Sequence, residues 1–167
     1  MTISSLRKKH IVPFEIDDKE LKTCFSYFLY KAPTIDSSHS TPDKRVEQKW
    51  NVFIKDWKHE QYKFYASSSK FPDQNILDNY GLADISKLHR LGRAFICKRK
   101  EAQESNYECV ARHLRNSIAH GNVYMDKSAN RIYLLFEDYN NRKSKTAMLL
   151  FSKKDLQNLM SKLTREK

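Results

Sequence analysis

Residues 105–121 carry the pattern that most constrains this chain: apolar side chains recur three and four residues apart, and the run ends in a glycine. An α-helix advances about 100° per residue. With Val110 at 0°, Leu114, Tyr107, Ile118 and Ala111 all fall within about 100°, one apolar face that must be buried. Arg115, Arg112, Asn116 and His120 fall between about 140° and 280°, on the other half. Ser105 or Asn106 begins the helix, and Gly121 suits the position just past its end.

The cover for that face comes from similar segments. Asp17 or Asp18 caps a helix over 18–31, with Leu21, Cys24, Phe25, Phe28 and Leu29 inward. The Pro/Ser/Thr-rich stretch 32–42 is a loop. Val46, Trp50, Phe53, Ile54 and Trp57 form the stripe of a helix over 43–65, and 66–72 breaks it. A short helix over 73–79 stops near Gly81, and Asp84 caps a long one over 84–104 with Ile85, Leu88, Leu91, Phe95 and Ile96 inward. After Gly121 the period shortens. Arg131–Glu137 and Lys145–Phe151 flank a polar stretch containing Asp138–Asn141, the pattern of a β-hairpin. Ser152 and Asp155 form a capping box for a last helix over 153–164, with Leu156, Leu159, Met160 and Leu163 on one side. With only 3 Gly and 4 Pro, a turn-rich all-β fold is disfavoured. The expectation is one mainly α domain over 1–167, a bundle of four to five helices with a β-hairpin before the C-terminal helix. Residues 1–16 and 164–167 are expected as flexible ends.

Lys and Arg number 31 against 20 Asp and Glu, a net charge of +11. Such an excess speaks to partners rather than fold: nucleic acid first, a membrane surface second, plain solubility third. No apolar run approaches the roughly 20 residues of a membrane span, and the start lacks the apolar core of a secretory signal, so a cytoplasmic protein without a membrane partner is expected. Cys24, Cys97 and Cys109 are too few and too scattered for a disulfide framework and read as reduced, buried thiols.

The chemistry concentrates at the end of the fourth helix. Asn116 and His120 are i,i+4 neighbours, with Arg112 one turn earlier. The negative end of the helix dipole favours a protonated histidine and disfavours a phosphate, so arginines must supply any anion binding. Ordinary helix-end and surface roles for these residues compete with that reading.

Arg115-Asn116-Ser117-Ile118-Ala119-His120 resembles the signature of HEPN domains (higher eukaryotes and prokaryotes nucleotide-binding): an arginine, a polar residue, a short spacer and a histidine. The resemblance is motif-specific over 106–122; the hairpin departs from the minimal family core. It implies an all-α bundle that commonly dimerises. Many such domains are metal-independent ribonucleases, toxins or defence effectors. Carried over, His120 transfers protons as a ribose 2′-hydroxyl attacks the neighbouring phosphate, Arg115 steadies the phosphate, and Asn116 orients histidine or substrate. Arg112, His113 and Tyr124 are candidates for substrate binding. RNA is the expected partner, with a second copy of the chain and an antitoxin or nucleotidyltransferase as further ones. The alternatives are an RNA- or nucleotide-binding module that does not cut, and a helical interaction domain.

Other clusters carry less. Lys98-Arg99-Lys100, with Arg90 and Arg93 upstream, is either a solvated helix end or a strip that tracks phosphates. Cys97, Cys109, His113 and His120 match no structural zinc spacing, so no metal or cofactor is expected. Phe25, Phe28, Trp50, Phe53 and Trp57 have core spacing; Tyr124 and Tyr139, near loops, are the aromatics expected at the surface.

Overall fold

The computed structural model describes residues 1–33, 44–55, 62–67 (backbone only), 70–79, 82 and 93–165. Its elements are α1 (Ile3–Leu6), β1 (His10–Ile11), α2 (Lys19–Tyr30), α3 (Lys44–Lys55), β2 (Tyr62–Ser67), α4 (Gln74–Asn79), β3 (Arg93–Lys98), α5 (Asn106–His120), β4 (Val123–Ser128), β5 (Arg131–Tyr139), β6 (Lys145–Ser152) and α6 (Lys153–Thr164).

The expected mainly α bundle is overturned: the chain has an α/β fold. Its centre is a six-stranded sheet in the order β1-β4-β5-β6-β3-β2. Neighbours from β1 to β3 run antiparallel, and β2 adds to β3 in parallel. The hairpin is therefore not an appendage to helices. It is the middle of the sheet, extended on one side by β4 and on the other by β3.

The errors have a physical source. Both faces of the sheet are covered, so its central strands carry apolar residues in unbroken runs instead of alternation. Ala94, Phe95, Ile96 and Cys97 are all fully buried. In sequence, Phe95 and Ile96 continue a three-to-four spacing from Ile85, which is why a helix to 104 is read there; residues 83–92 lie outside the described part. The expected helix over 43–65 is shortened in the same way. It holds as α3 up to Lys55, but 62–67 is strand.

One face of the sheet packs on α2, α3, α5 and α6. Leu134, Phe136, Leu149 and Phe151 from the sheet meet Phe25, Trp50, Leu114 and Leu156 there, all buried. Phe151 stacks on Phe136 with ring centroids 5.5 Å apart and meets Phe95 edge-on at 5.2 Å. Phe25, Phe28, Trp50 and Phe53 are core residues; Trp57 lies outside the described residues. Each such side chain contributes roughly 1.5–3 kcal/mol by burial. The other face carries a second cluster of Ile3, Leu6, Leu77, Leu82, Leu135, Met148 and Leu150. Within the expected flexible end, Leu6 is fully buried and β1 pairs with β4.

Helix starts follow the sequence closely. Asp18 accepts from Leu21 N at 3.0 Å, and Ser152 and Asp155 close their capping box at 3.1 Å in both directions. Among the described residues no helix is long and apolar enough to cross a membrane.

Candidate active site at the end of α5

α5 is fixed at both ends. Ser105 Oγ accepts from Glu108 N at 3.2 Å, and Glu108 returns the bond to Ser105 N at 3.3 Å. At the far end Gly121 takes a left-handed conformation, φ 71° and ψ 22°, and Asn122 N bonds Ser117 O at 2.9 Å. That is the closure glycine provides without a Cβ penalty. His10, on β1, donates from Nε2 to Gly121 O at 2.6 Å and so pins the terminus to the sheet edge. Val110, Leu114 and Ile118 are buried against the sheet.

The opposite side of α5 forms one wall of a groove of about 430 Å³. Arg112, His113, Asn116 and His120 line that wall; Lys98, Arg99 and Lys100 leave β3 along a second; Asp138–Asn141 and Thr146 of the β5–β6 hairpin form the third. Arg115 and Tyr124 are not among the lining residues. Arg115 is half-buried on the flank of α5 and, among the described residues, makes no hydrogen bond or ion pair. Tyr124 packs against the second cluster on the far face of the sheet, edge-on to His10 at 5.6 Å. Tyr139 lines the groove, its hydroxyl donating to Glu137 Oε2 at 3.1 Å.

Beneath the groove lies a buried polar network. His113 is 1% exposed. Its Nδ1 donates to Asp138 Oδ2 at 2.8 Å and its Nε2 to Lys98 O at 2.8 Å. Both ring nitrogens therefore act as donors, which defines an imidazolium. Burial opposes that charge, but the Asp138 carboxylate and the Cys109 thiol outweigh it and raise the His113 pKa to about 9. Burial likewise opposes the Asp138 charge, and the bonds from His113 and Asn116 hold its carboxyl below the usual range all the same. Asn116 Nδ2 donates to the same Oδ2 at 3.1 Å, while Asp138 Oδ1 accepts from Tyr139 N at 2.9 Å.

Arg112 is tied down too. Its guanidinium grips Glu104 at 2.7 and 3.0 Å and donates to Lys98 O at 3.0 Å. Arg99 donates to Asn106 Oδ1 at 2.6 Å, and Lys100 N to Glu104 Oε2 at 2.8 Å. These bonds lock the 98–106 connection as the floor on which α5 starts. The basic run thus reaches the groove, whereas Arg93 is buried in an ion pair with Asp155 at 2.6 Å; Arg90 lies outside the described residues. Cys24, Cys97 and Cys109 are buried free thiols.

Of the signature residues that line the groove, Asn116 is half-buried and His120 is exposed. An imidazole can accept and donate a proton, and the cations around it attract a phosphate.

The family described as HEPN pEK499 p136 matches residues 8–165. The chain belongs to this HEPN family. The match covers nearly the whole chain, including the segments that form the sheet. No curated protein and no solved structure matches the chain.

Two groups of the candidate site escape a reading by motif: Asp138, placed by sequence in the polar stretch of the hairpin, and the Lys98 carbonyl. Asp138 had a usable signal. It continues the even-numbered series Leu134, Phe136, which faces α5, so the strand's own parity points it at the helix.

Proposed function

We propose that this protein is a metal-independent HEPN-type endoribonuclease. The observation that carries the reading is the groove itself, where an exposed histidine and a fixed asparagine from the signature stand among basic side chains. RNA lies with a phosphate at the rim of the groove. The ribose 2′-oxygen attacks the phosphorus as its proton passes to a base, and the bond from phosphorus to the 5′-oxygen breaks as a proton reaches that oxygen. His120 serves in proton transfer. Arg115 lies outside the groove's lining, on the flank of α5, and is without an intramolecular partner among the described residues; its role is to hold the phosphate from beside the groove. The products are a cyclic phosphate and a 5′-hydroxyl.

His113 is committed to two hydrogen bonds, so His120 is the histidine a chain offers at this groove. A two-fold dimer supplies a second His120, and with it a separate base and acid. A toxin or defence role, held in check by an antitoxin or nucleotidyltransferase, fits such an activity. The same observation favours the second reading, a module that binds RNA without cutting: one imidazole per chain is enough for binding.

The test is incubation with labelled RNA in the presence of chelator, followed by end-group analysis. Cleavage is expected, and His120→Ala lowers its rate by about 10²–10⁴-fold with the melting temperature unchanged. Salt-sensitive RNA binding without products establishes the second reading instead.

A further inference from the structure

The signature does not position its own asparagine. Asp138 Oδ2, on β5, takes hydrogen bonds from both Asn116 Nδ2 and the buried His113, and His113 is braced in turn on the Lys98 carbonyl of β3. A carboxylate can only accept, so its partner on Asn116 has to be the NH2 group. That decides which way the amide faces: Oδ1 is the atom left for the groove. Asn116 and His120 are i,i+4 neighbours and both line it.

We propose that Asp138, held by His113, is a positioning residue that turns the Asn116 carbonyl oxygen toward the groove. That oxygen and the His120 ring are without partners among the described residues, and with RNA bound the oxygen accepts the His120 ring N–H, leaving the other ring nitrogen for proton transfer. The groups that brace this site then come from two strands that the signature does not contain. The inference rests on the groove being the site of phosphodiester cleavage.

The geometry makes the isosteric change informative. In Asp138→Asn the new Oδ1 still accepts from Tyr139 N, which places the new NH2 where Oδ2 was. Its two hydrogens then face Asn116 and His113. His113 becomes neutral, accepting at Nδ1 while Nε2 still donates to Lys98 O. Asn116 rotates to accept through Oδ1, and its NH2 now faces His120. One polarity is inverted, and no packing is lost.

The experiment compares wild type, Asp138→Asn, Asn116→Asp and the double variant in RNA cleavage and in side-chain amide exchange by NMR. Asp138→Asn is expected to lower kcat about 10²-fold, the scale of a misplaced catalytic group, with KM little changed. Asn116→Asp alone is expected to lose activity similarly, because two carboxylates then face each other. The double variant restores an acceptor facing His120 and regains at least part of the loss, which a merely structural Asp138 would not allow. Wild-type kcat in folded Asp138→Asn, or no regain in the double variant, overturns the proposal. In the wild type the Asn116 side-chain amide protons are expected to exchange slowly. Exchange as fast as that of solvent-exposed asparagines overturns the proposal even if Asp138→Asn does not fold. If the wild type cuts no RNA, the ribonuclease reading fails, and the exchange experiment still decides how Asn116 is held.

Discussion

Two grooves open at the two ends of β5, and they differ in what their polar groups are left to do. The one at the start of β5 is the larger, about 490 Å³ against 430 Å³, and it too is basic, with Arg131, Lys153 and Lys154. Each sits beside a buried ion pair: Arg93–Asp155 at 2.6 Å for the first, His113–Asp138 at 2.8 Å for the second. In the first groove Ser152, Lys153 and Gln157 serve the fold. Ser152 and Asp155 cap α6, Lys153 is held by Asp18 at 2.7 Å and Glu20 at 2.8 Å, and Gln157 donates to Glu20. In the second, the buried carboxylate spends one of its bonds on a residue that reaches the surface beside an exposed histidine. Size and charge do not separate the two, nor do free cations, because the side chains of Arg131 and Lys154 in the first groove make no hydrogen bond or ion pair among the described residues; an exposed histidine beside a braced amide does.

The largest expected effect tests whether the two buried pairs are alike in energy. Removing one partner of a buried ion pair strands the other and costs about 3–5 kcal/mol. Asp138→Ala and Asp155→Ala should both fall in that range by denaturant unfolding. A loss below about 1 kcal/mol for Asp138→Ala would mean that the His113 charge is not held as the geometry indicates.

The next effect separates them by pH. Because the folded pKa of His113 is raised from 6.5 to about 9, its stabilising contribution is complete below 6.5 and is lost as pH rises through 9. His113 therefore contributes a falling slope of unfolding free energy between those values, while Cys109 beside it, lowered from 9.0 to about 6 by Cys97 and His113, contributes an opposing rise. Asp138→Asn, in which His113 is neutral, should remove the falling contribution, and an unchanged slope would assign the titration to another group.

What the sequence made legible follows from range. α5, its Ser105 and Gly121 caps, α2, α6 and the hairpin all rest on residues within a few positions of one another. So does the pairing of Asn116 with His120 along one helix face. The sheet was not legible as a sheet, because β2 and β3 pair in parallel across a long connection and β3 is buried along almost its whole length. Nor was the support of the site: His113 and Asp138 are 25 residues apart and meet only because β5 passes under α5. A motif reports the groups that face a substrate, and the strand register decides what stands behind them.

A smaller effect tests the frame at the second groove. Gly121 has φ 71°, and a Cβ added there meets nothing within 4 Å. The cost of Gly121→Ala is therefore conformational, about 1–2 kcal/mol, and Gly121→Asn should cost less because asparagine tolerates that region. Both are read from the melting temperature. Equal losses would point to a contact rather than to backbone preference.

The smallest expected effect is at the first groove. Lys153 is 20% exposed at its side chain and Glu20 67%, so their attraction is screened by water. Lys153→Ala should change stability by only about 0–1 kcal/mol. It should also leave RNA cleavage at the wild-type rate, because a lysine already neutralised by two carboxylates has little charge to offer a phosphate. The comparison turns on this variant: if Lys153→Ala reduces cleavage as His120→Ala does, the larger groove belongs to the path of the RNA, and the exposed histidine is not what distinguishes the two.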